Sequence, residues 1–168
     1  MTTQVYVGTY AKYNNGSIEG AWVDLEGHDE ESFYEACREL HKDEADPEFM
    51  FQDFEGFPRE FYGESSLSEN LWHWLEMDED ERELVGAFTD CFGFSGSMDY
   101  AELLEKANDA YMGQFGSDED FADDYIESTG MLDGVPDSLK AYFDTSRFAW
   151  DLMYDFSSSN GHYFHNNW

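Results

Sequence analysis

The stretch SDEDFADDYIESTG at 117–130 places six carboxylates and no base on one short segment, and the same imbalance runs through the whole chain. There are 39 Asp and Glu against 8 Lys and Arg, a formal net charge of −31 on 168 residues. Self-repulsion on this scale opposes any compact state. The chain can fold only if it keeps its carboxylates in water and buries enough apolar surface to offset the repulsion. Its 18% aromatic and 41% hydrophobic content, with 5 Trp, 11 Tyr and 15 Phe, supplies a core that disordered acidic segments lack.

The charge is not an appended tail. Residues 1–62 hold 15 acids and 4 bases, residues 63–107 hold 12 and 2, and residues 108–168 hold 12 and 2. A surface that is anionic throughout repels nucleic acids and anionic membranes and attracts basic partners. Cys37 and Cys91 lack CxxC spacing and read as free thiols suited to a reducing cytoplasm. The first residues show no basic region followed by an apolar run, and no stretch approaches the ~18 apolar residues of a membrane span, so a cytoplasmic, soluble protein is expected.

Periodicity sketches an α+β chain. QVYVGTYA (4–11) and IEGAWVDL (18–25) alternate as strands around the turn-rich YNNGS, residues 29–43 keep helical spacing through Phe33, Ala36, Cys37 and Leu40, and FMFQDF (49–54) is extended until GFP breaks it. Three helical patterns follow, SLSENLWHWLEM, DEDERELVGAFTDCF and MDYAELLEKANDAY. The last third combines a strand at AYMGQF, the acidic helix, helices near Pro136 and over Thr145–Tyr154, and an extended HYFHN. The reading is an elongated chain of three small domains: an N-terminal sheet with a helix at 1–62, a central helical bundle at 63–107, and a C-terminal α+β domain at 108–168. Their expected cores are Tyr6, Trp22 and Phe33; Trp74, Leu84 and Phe88; and Phe121, Tyr125 and Trp150.

In the acidic helix, Ser117 is placed as N-cap, Gly130 as stop, and Phe121, Ala122, Tyr125 and Ile126 as the apolar face. Asp118, Glu119 and Asp120 favour the helix dipole. Asp120, Asp123, Asp124 and Glu127, at i, i+3, i+4 and i+7, form a stripe on the opposite face, where each like-charged pair costs roughly 0.2–0.5 kcal/mol. A solvated face is the bland explanation of such a stripe.

Catalytic and metal motifs are not legible. The acidic segments lack the alternating ligands, sixth-place glycine and twelfth-place glutamate of an EF-hand loop, and His162 and His165 have no further ligand at metal spacing. No GxSxG, P-loop or GxGxxG occurs, so neither an enzyme nor a cofactor is expected. Salt adaptation, an acidic chaperone or an antitoxin that sequesters a basic protein, and imitation of a polyanion all suit the charge. Duplex DNA carries about one charge per 1.7 Å of axis, so 31 charges correspond to ~53 Å of duplex and the 62 of a dimer to ~105 Å, on the order of 30 base pairs.

YVGTYAKYNNGSIEGAWVDL resembles the N-terminal signature of the ArdA antirestriction proteins, QDFEGFP resembles the DYEGF segment that follows it, and FADDYIESTGMLDGVPDSLKAYFD resembles their YIEETG…VP…L..YID stretch. The order and spacing hold across nearly the whole chain, whereas SSSNGHYFHNNW departs from the family pattern. The resemblance implies a non-enzymatic, elongated, three-domain DNA mimic, usually a homodimer, carried on conjugative elements, that occupies the DNA-binding groove of the methyltransferase core of Type I restriction-modification enzymes. The candidate mimic surface is Glu30, Glu31, Glu35, Glu39, Asp78, Glu79, Glu83, Asp120, Asp123, Asp124 and Glu127. Dimerisation through the C-terminal third is implied, with Tyr125, Ile126, Met131 and Leu132 as candidates.

Overall fold

A computed structural model describes residues 2–93 and 98–168. The fold is α+β, as expected, and divides into two compact units, Met1–Asp78 and Glu79–Trp168.

In the first unit, β1 (Gln4–Thr9), β2 (Ala21–Asp24) and β3 (Phe49–Glu55) form an antiparallel sheet of order β2-β1-β3. Period-two alternation sends Val5 and Val7 inward, fully buried, and Tyr6 to the other face. The helix α2 (Glu30–Leu40) covers the inner face with Phe33 and Cys37. Asp29 and Ser32 close a capping box at its start, and the Ser32 backbone N–H holds the Asp29 carboxyl below its ordinary range. The short helix α1 (Tyr10–Asn14) falls where the strand pattern was expected to run on to Ala11; Thr9 caps it by accepting from the Lys12 N–H. Helix α3 (Glu69–Glu76) completes the unit, with Leu71 buried and Trp72 ringed against Phe33 at 5.5 Å.

Trp22 is not core. It sits on the edge strand, 39% exposed, and meets Tyr6 edge-to-face at 5.6 Å. The register pairs Tyr6 with Trp22, so the same alternation that buries Val5 and Val7 turns both rings to the outer face.

A polar clamp sits under this sheet. Buried His41 donates from Nε2 to the Val7 carbonyl at 3.0 Å, which leaves Nδ1 to accept from Lys12 Nζ at 2.9 Å. The same ammonium reaches Asp43 at 3.0 Å and holds its carboxyl low, while Thr9 donates to Glu44 at 2.6 Å.

The second unit contains α4 (Glu79–Phe92), α5 (Tyr100–Ala110), β4 (Tyr111–Gln114), α6 (Asp118–Thr129), α7 (Asp137–Lys140), α8 (Thr145–Leu152), β5 (Phe156–Ser159) and β6 (His162–His165). The three middle helical patterns are thus distributed, α3 in the first unit and α4 and α5 in the second. The sheet order is β4-β6-β5, antiparallel. As the central strand, β6 is buried on both faces: Phe164 packs against Phe88 of α4 at 5.4 Å, while Tyr163 stacks on Phe121 of α6 at 4.7 Å. On the Tyr163 side, Phe121, Ala122, Ala149, Leu152 and Phe156 share one core. Strand β5 was not read from the sequence. It is joined to β6 by Asn160 and Gly161, with φ 51° and 79°, the pair of positive values that a tight hairpin of this hand requires.

Trp150 is also not core. It is 63% exposed because Ala149 and Leu152, on the opposite side of α8, are the residues that face α6. Both cysteines are free thiols; burial pushes Cys37 up to about 12 and also raises Cys91.

The QDFEGFP segment owes its glycine to backbone geometry. Gly56 ends β3 at φ 83°, and a Cβ there would lie 2.4 Å from the Thr2 carbonyl oxygen. A left-handed L-residue costs roughly 1–2 kcal/mol before any clash is counted. Gly56→Ala is therefore expected to destabilise the protein by more than about 2 kcal/mol, read as a lowered denaturant midpoint with an unchanged slope.

Candidate polyanionic surface

Folding turns nearly all the acids outward. Of the 39 Asp and Glu, only Glu44 and Glu81 are half-buried and none is buried. The first unit holds 19 acids and 4 bases, net −15, and the second 20 and 4, net −16. Each unit therefore carries an anionic surface of its own.

On α2, burial of Phe33 and Cys37 forces Glu31, Glu35 and Glu39 into an i, i+4, i+8 row, with Glu30 beside it in the first turn, and all four are exposed. One helical turn separates successive carboxylates by ~6 Å along the axis. Lys42 caps the row's end through an ion pair with Glu39, which raises the lysine's own pKa. Exposed Asp78 closes the first unit, and the second opens with Glu79 in the first turn of α4.

Helix α6 has the predicted anatomy. Ser117 Oγ accepts from the Asp120 N–H at 3.1 Å, and Gly130 ends the helix at φ 65°. Phe121 and Ala122 are buried, Tyr125 and Ile126 half-buried, and Asp120, Asp123, Asp124 and Glu127 exposed. The carboxylates of these four accept no hydrogen bond and join no ion pair among the described residues. With no base in the last turn, Glu127 also faces the negative end of the helix dipole. The helix dipole suits Asp120 in the first turn, but nothing local explains Asp123, Asp124 and Glu127.

Other acids are structural. Glu83 is exposed, but its Oε1 accepts from His162 Nε2 and from the Asn160 amide, each at 3.1 Å, fastening α4 to the β5–β6 hairpin. The other His162 nitrogen meets the Tyr111 hydroxyl at 2.9 Å. His165 instead points Nε2 at the Asp109 carbonyl at 3.1 Å, so the two histidines of the HxxH pair serve separate contacts. Among the described residues no group of three or more His, Cys, Asp or Glu is arranged to hold a metal ion, and no helix is long and apolar enough to cross a membrane. Asp118 accepts the Tyr163 hydroxyl at 2.6 Å and so ties the acidic helix to the sheet.

Of the candidate contact residues, Tyr125 packs within its own unit, with rings of Phe121, Phe148 and Phe156 at 6.2, 6.4 and 5.7 Å. Ile126 and Leu132 are half-buried and Met131 is 49% exposed. A feature absent from the sequence reading stands at the end of α8: Trp150 on the helix and Tyr154 in the turn after it, 63% and 68% exposed, meet edge-to-face at 5.6 Å, and the Arg147 guanidinium carbon lies 5.8 Å from the Trp150 ring centroid. The signal was present in the i, i+4 spacing of the two rings opposite Ala149 and Leu152.

A model of the ArdA antirestriction protein family matches residues 5–165 of the chain. No curated protein matches it in sequence.

The Tyr163 to Asp118 contact gives the acidic helix an alkaline limit. Burial, then the hydrogen bond to Asp118, pushes the Tyr163 phenol from 10.0 to about 12. A raised folded-state pKa stabilises the fold fully below pH 10 and loses that contribution as pH climbs toward 12. Above that range a phenolate faces the Asp118 carboxylate. Tyr163→Phe should lower stability at pH 8 and flatten the decline between pH 10 and 12, as followed by denaturant unfolding at each pH.

Proposed function

The chain belongs to the ArdA family of antirestriction proteins, and we propose that it inhibits a Type I restriction-modification enzyme by lying in the DNA-binding groove of the methyltransferase core in place of duplex DNA. The observation that carries this reading is the outward placement of the carboxylates, divided almost equally between two compact units. A solubilising surface needs far less charge, whereas a duplex substitute needs charge over its whole length. On this reading Glu30, Glu31, Glu35, Glu39, Asp78, Glu79, Asp120, Asp123, Asp124 and Glu127 take the place of phosphates. Glu83 adds to the field while it anchors the hairpin. No catalytic step is required, because occupancy excludes the substrate.

Purified protein should displace a DNA duplex from the methyltransferase core, and less effectively as salt rises, since screening weakens exposed charges. Unchanged DNA affinity in the presence of bound inhibitor would sink the mimicry. Because exposed charges contribute roughly 0.2–1 kcal/mol apiece, Asp124→Asn alone should raise the inhibition constant by no more than about five-fold. Converting Asp120, Asp123, Asp124 and Glu127 together to amides should cost about 1–4 kcal/mol.

We further propose a homodimer through Tyr125, Ile126, Met131 and Leu132, which would extend the imitated length from ~53 to ~105 Å. Met131 is the residue to change, because Tyr125 also serves its own core. Met131→Asp should sediment as a folded monomer; a folded dimer would place the contact elsewhere.

A further inference from the structure

Several large hydrophobic side chains are exposed on this surface, among them Tyr142 and Ile18, but at Trp150 and Tyr154 two exposed rings meet each other and a cation. Trp150 stands on the outward side of α8 and Tyr154 in the turn that follows it, while the helix's inner side, Ala149 and Leu152, is used in the core. Their rings, at 80° to one another, form an exposed corner. Exposed carboxylates stand around it in sequence, Asp144 at the helix start and Asp151 and Asp155 within and beyond it. Arg147 already lies over the Trp150 ring, with its Nε 3.8 Å from Asp151.

We propose that this corner is a binding surface for arginine side chains of a basic partner protein, with Arg147 as the occupant in the free state. Three observations select the ligand. Indole and phenol faces attract cations. The surrounding acids add a field of the same preference and disfavour a second copy of this chain, which would bring Asp144, Asp151 and Asp155 against their own kind. Finally, the cation already present is a guanidinium, which is planar, weakly hydrated and stacks on a ring while pairing with a carboxylate, whereas a lysine ammonium keeps its water more tightly. The corner thus gives a diffuse anionic surface a point of chemical selectivity. A partner's arginine displaces Arg147 from Trp150 and pairs with Asp151. The inference rests on the proposed function only for the identity of the partner; the arginine preference belongs to the corner itself.

The test uses the full chain and two peptides of equal length, one of arginines and one of lysines, titrated calorimetrically. Carboxylates favour arginine on their own through bidentate pairing, so the readout is the part of the arginine-to-lysine affinity ratio that the rings supply. Trp150→Ala with Tyr154→Ala should lower that ratio by about two- to five-fold per ring engaged, with lysine-peptide affinity falling less than arginine-peptide affinity. Trp150→Phe, which keeps an aromatic face, should lie between. Arg147→Ala should raise the ratio by emptying the ring. A ratio unchanged by the double substitution overturns the proposal. So does sedimentation showing that the double substitution abolishes self-association while the ratio stays the same, which would assign the corner to a second copy. Loss of DNA displacement with the ratio intact would count against groove occupation alone, so the two ideas fail separately.

Discussion

Carboxylate repulsion governs how this chain can fold. With 39 acids and 8 bases, every arrangement that brings carboxylates into the interior is closed, and the core must come from what remains. What remains is aromatic. In the first unit Phe33, Phe51 and Phe61 are buried, and in the second Phe88, Phe121 and Phe164. Their large apolar surfaces let small sheets with few helices reach stability despite the charge. Acids are also placed where the backbone welcomes them: the first turns of α2, α4 and α6 each carry two or three, near the positive end of the helix dipole.

This constraint sorts the carboxylates into two groups with different consequences. Asp29, Glu44, Asp118 and Glu83 accept hydrogen bonds that fix a helix start, the Thr9 hydroxyl, the Tyr163 phenol and the β5–β6 hairpin. Removing one of these disturbs the fold before it disturbs the field. The carboxylates of Asp123, Asp124 and Glu127 hold no such bond among the described residues, so their removal acts chiefly on the field, whereas Asp120 also sits in the first turn of α6 near the positive end of its dipole. A neutralisation series that mixes the groups would confuse loss of structure with loss of charge. The stripe on α6 is the cleaner place to measure the electrostatic part.

The bases are treated differently from the acids. Lys12 is drawn in beside His41, Asp43 and Glu44, and Lys42, Lys106, Lys140 and Arg147 each sit within 4 Å of a carboxylate. Five of the eight bases thus sit beside a carboxylate that offsets them, while Arg38 and Arg59 stand exposed. Arg147 and Lys106 each make a second contact with an indole, Arg147 over Trp150 and Lys106 over Trp168.

Local rules were legible in the sequence. The cap at Ser117, the stop at Gly130, the capped start of α2, the strands β1 and β3 and the outward acids of α6 follow from neighbours a few residues apart, and short-range geometry decides them. The Asn-Gly hairpin at 160–161 belongs to the same class, its signal lying beside a serine-rich run of low strand character. The sequence also settled that the surface would be anionic, because no packing can hide so many unpaired charges. It could not say that Trp22 and Trp150 face outward, that Glu83 meets His162 across 79 residues, or which side of the middle helices joins which core. Those outcomes depend on which strand lies at an edge and which face of a helix packs against the sheet. They are properties of the assembled sheet and its neighbours, and a hydrophobic residue read alone carries no mark of them.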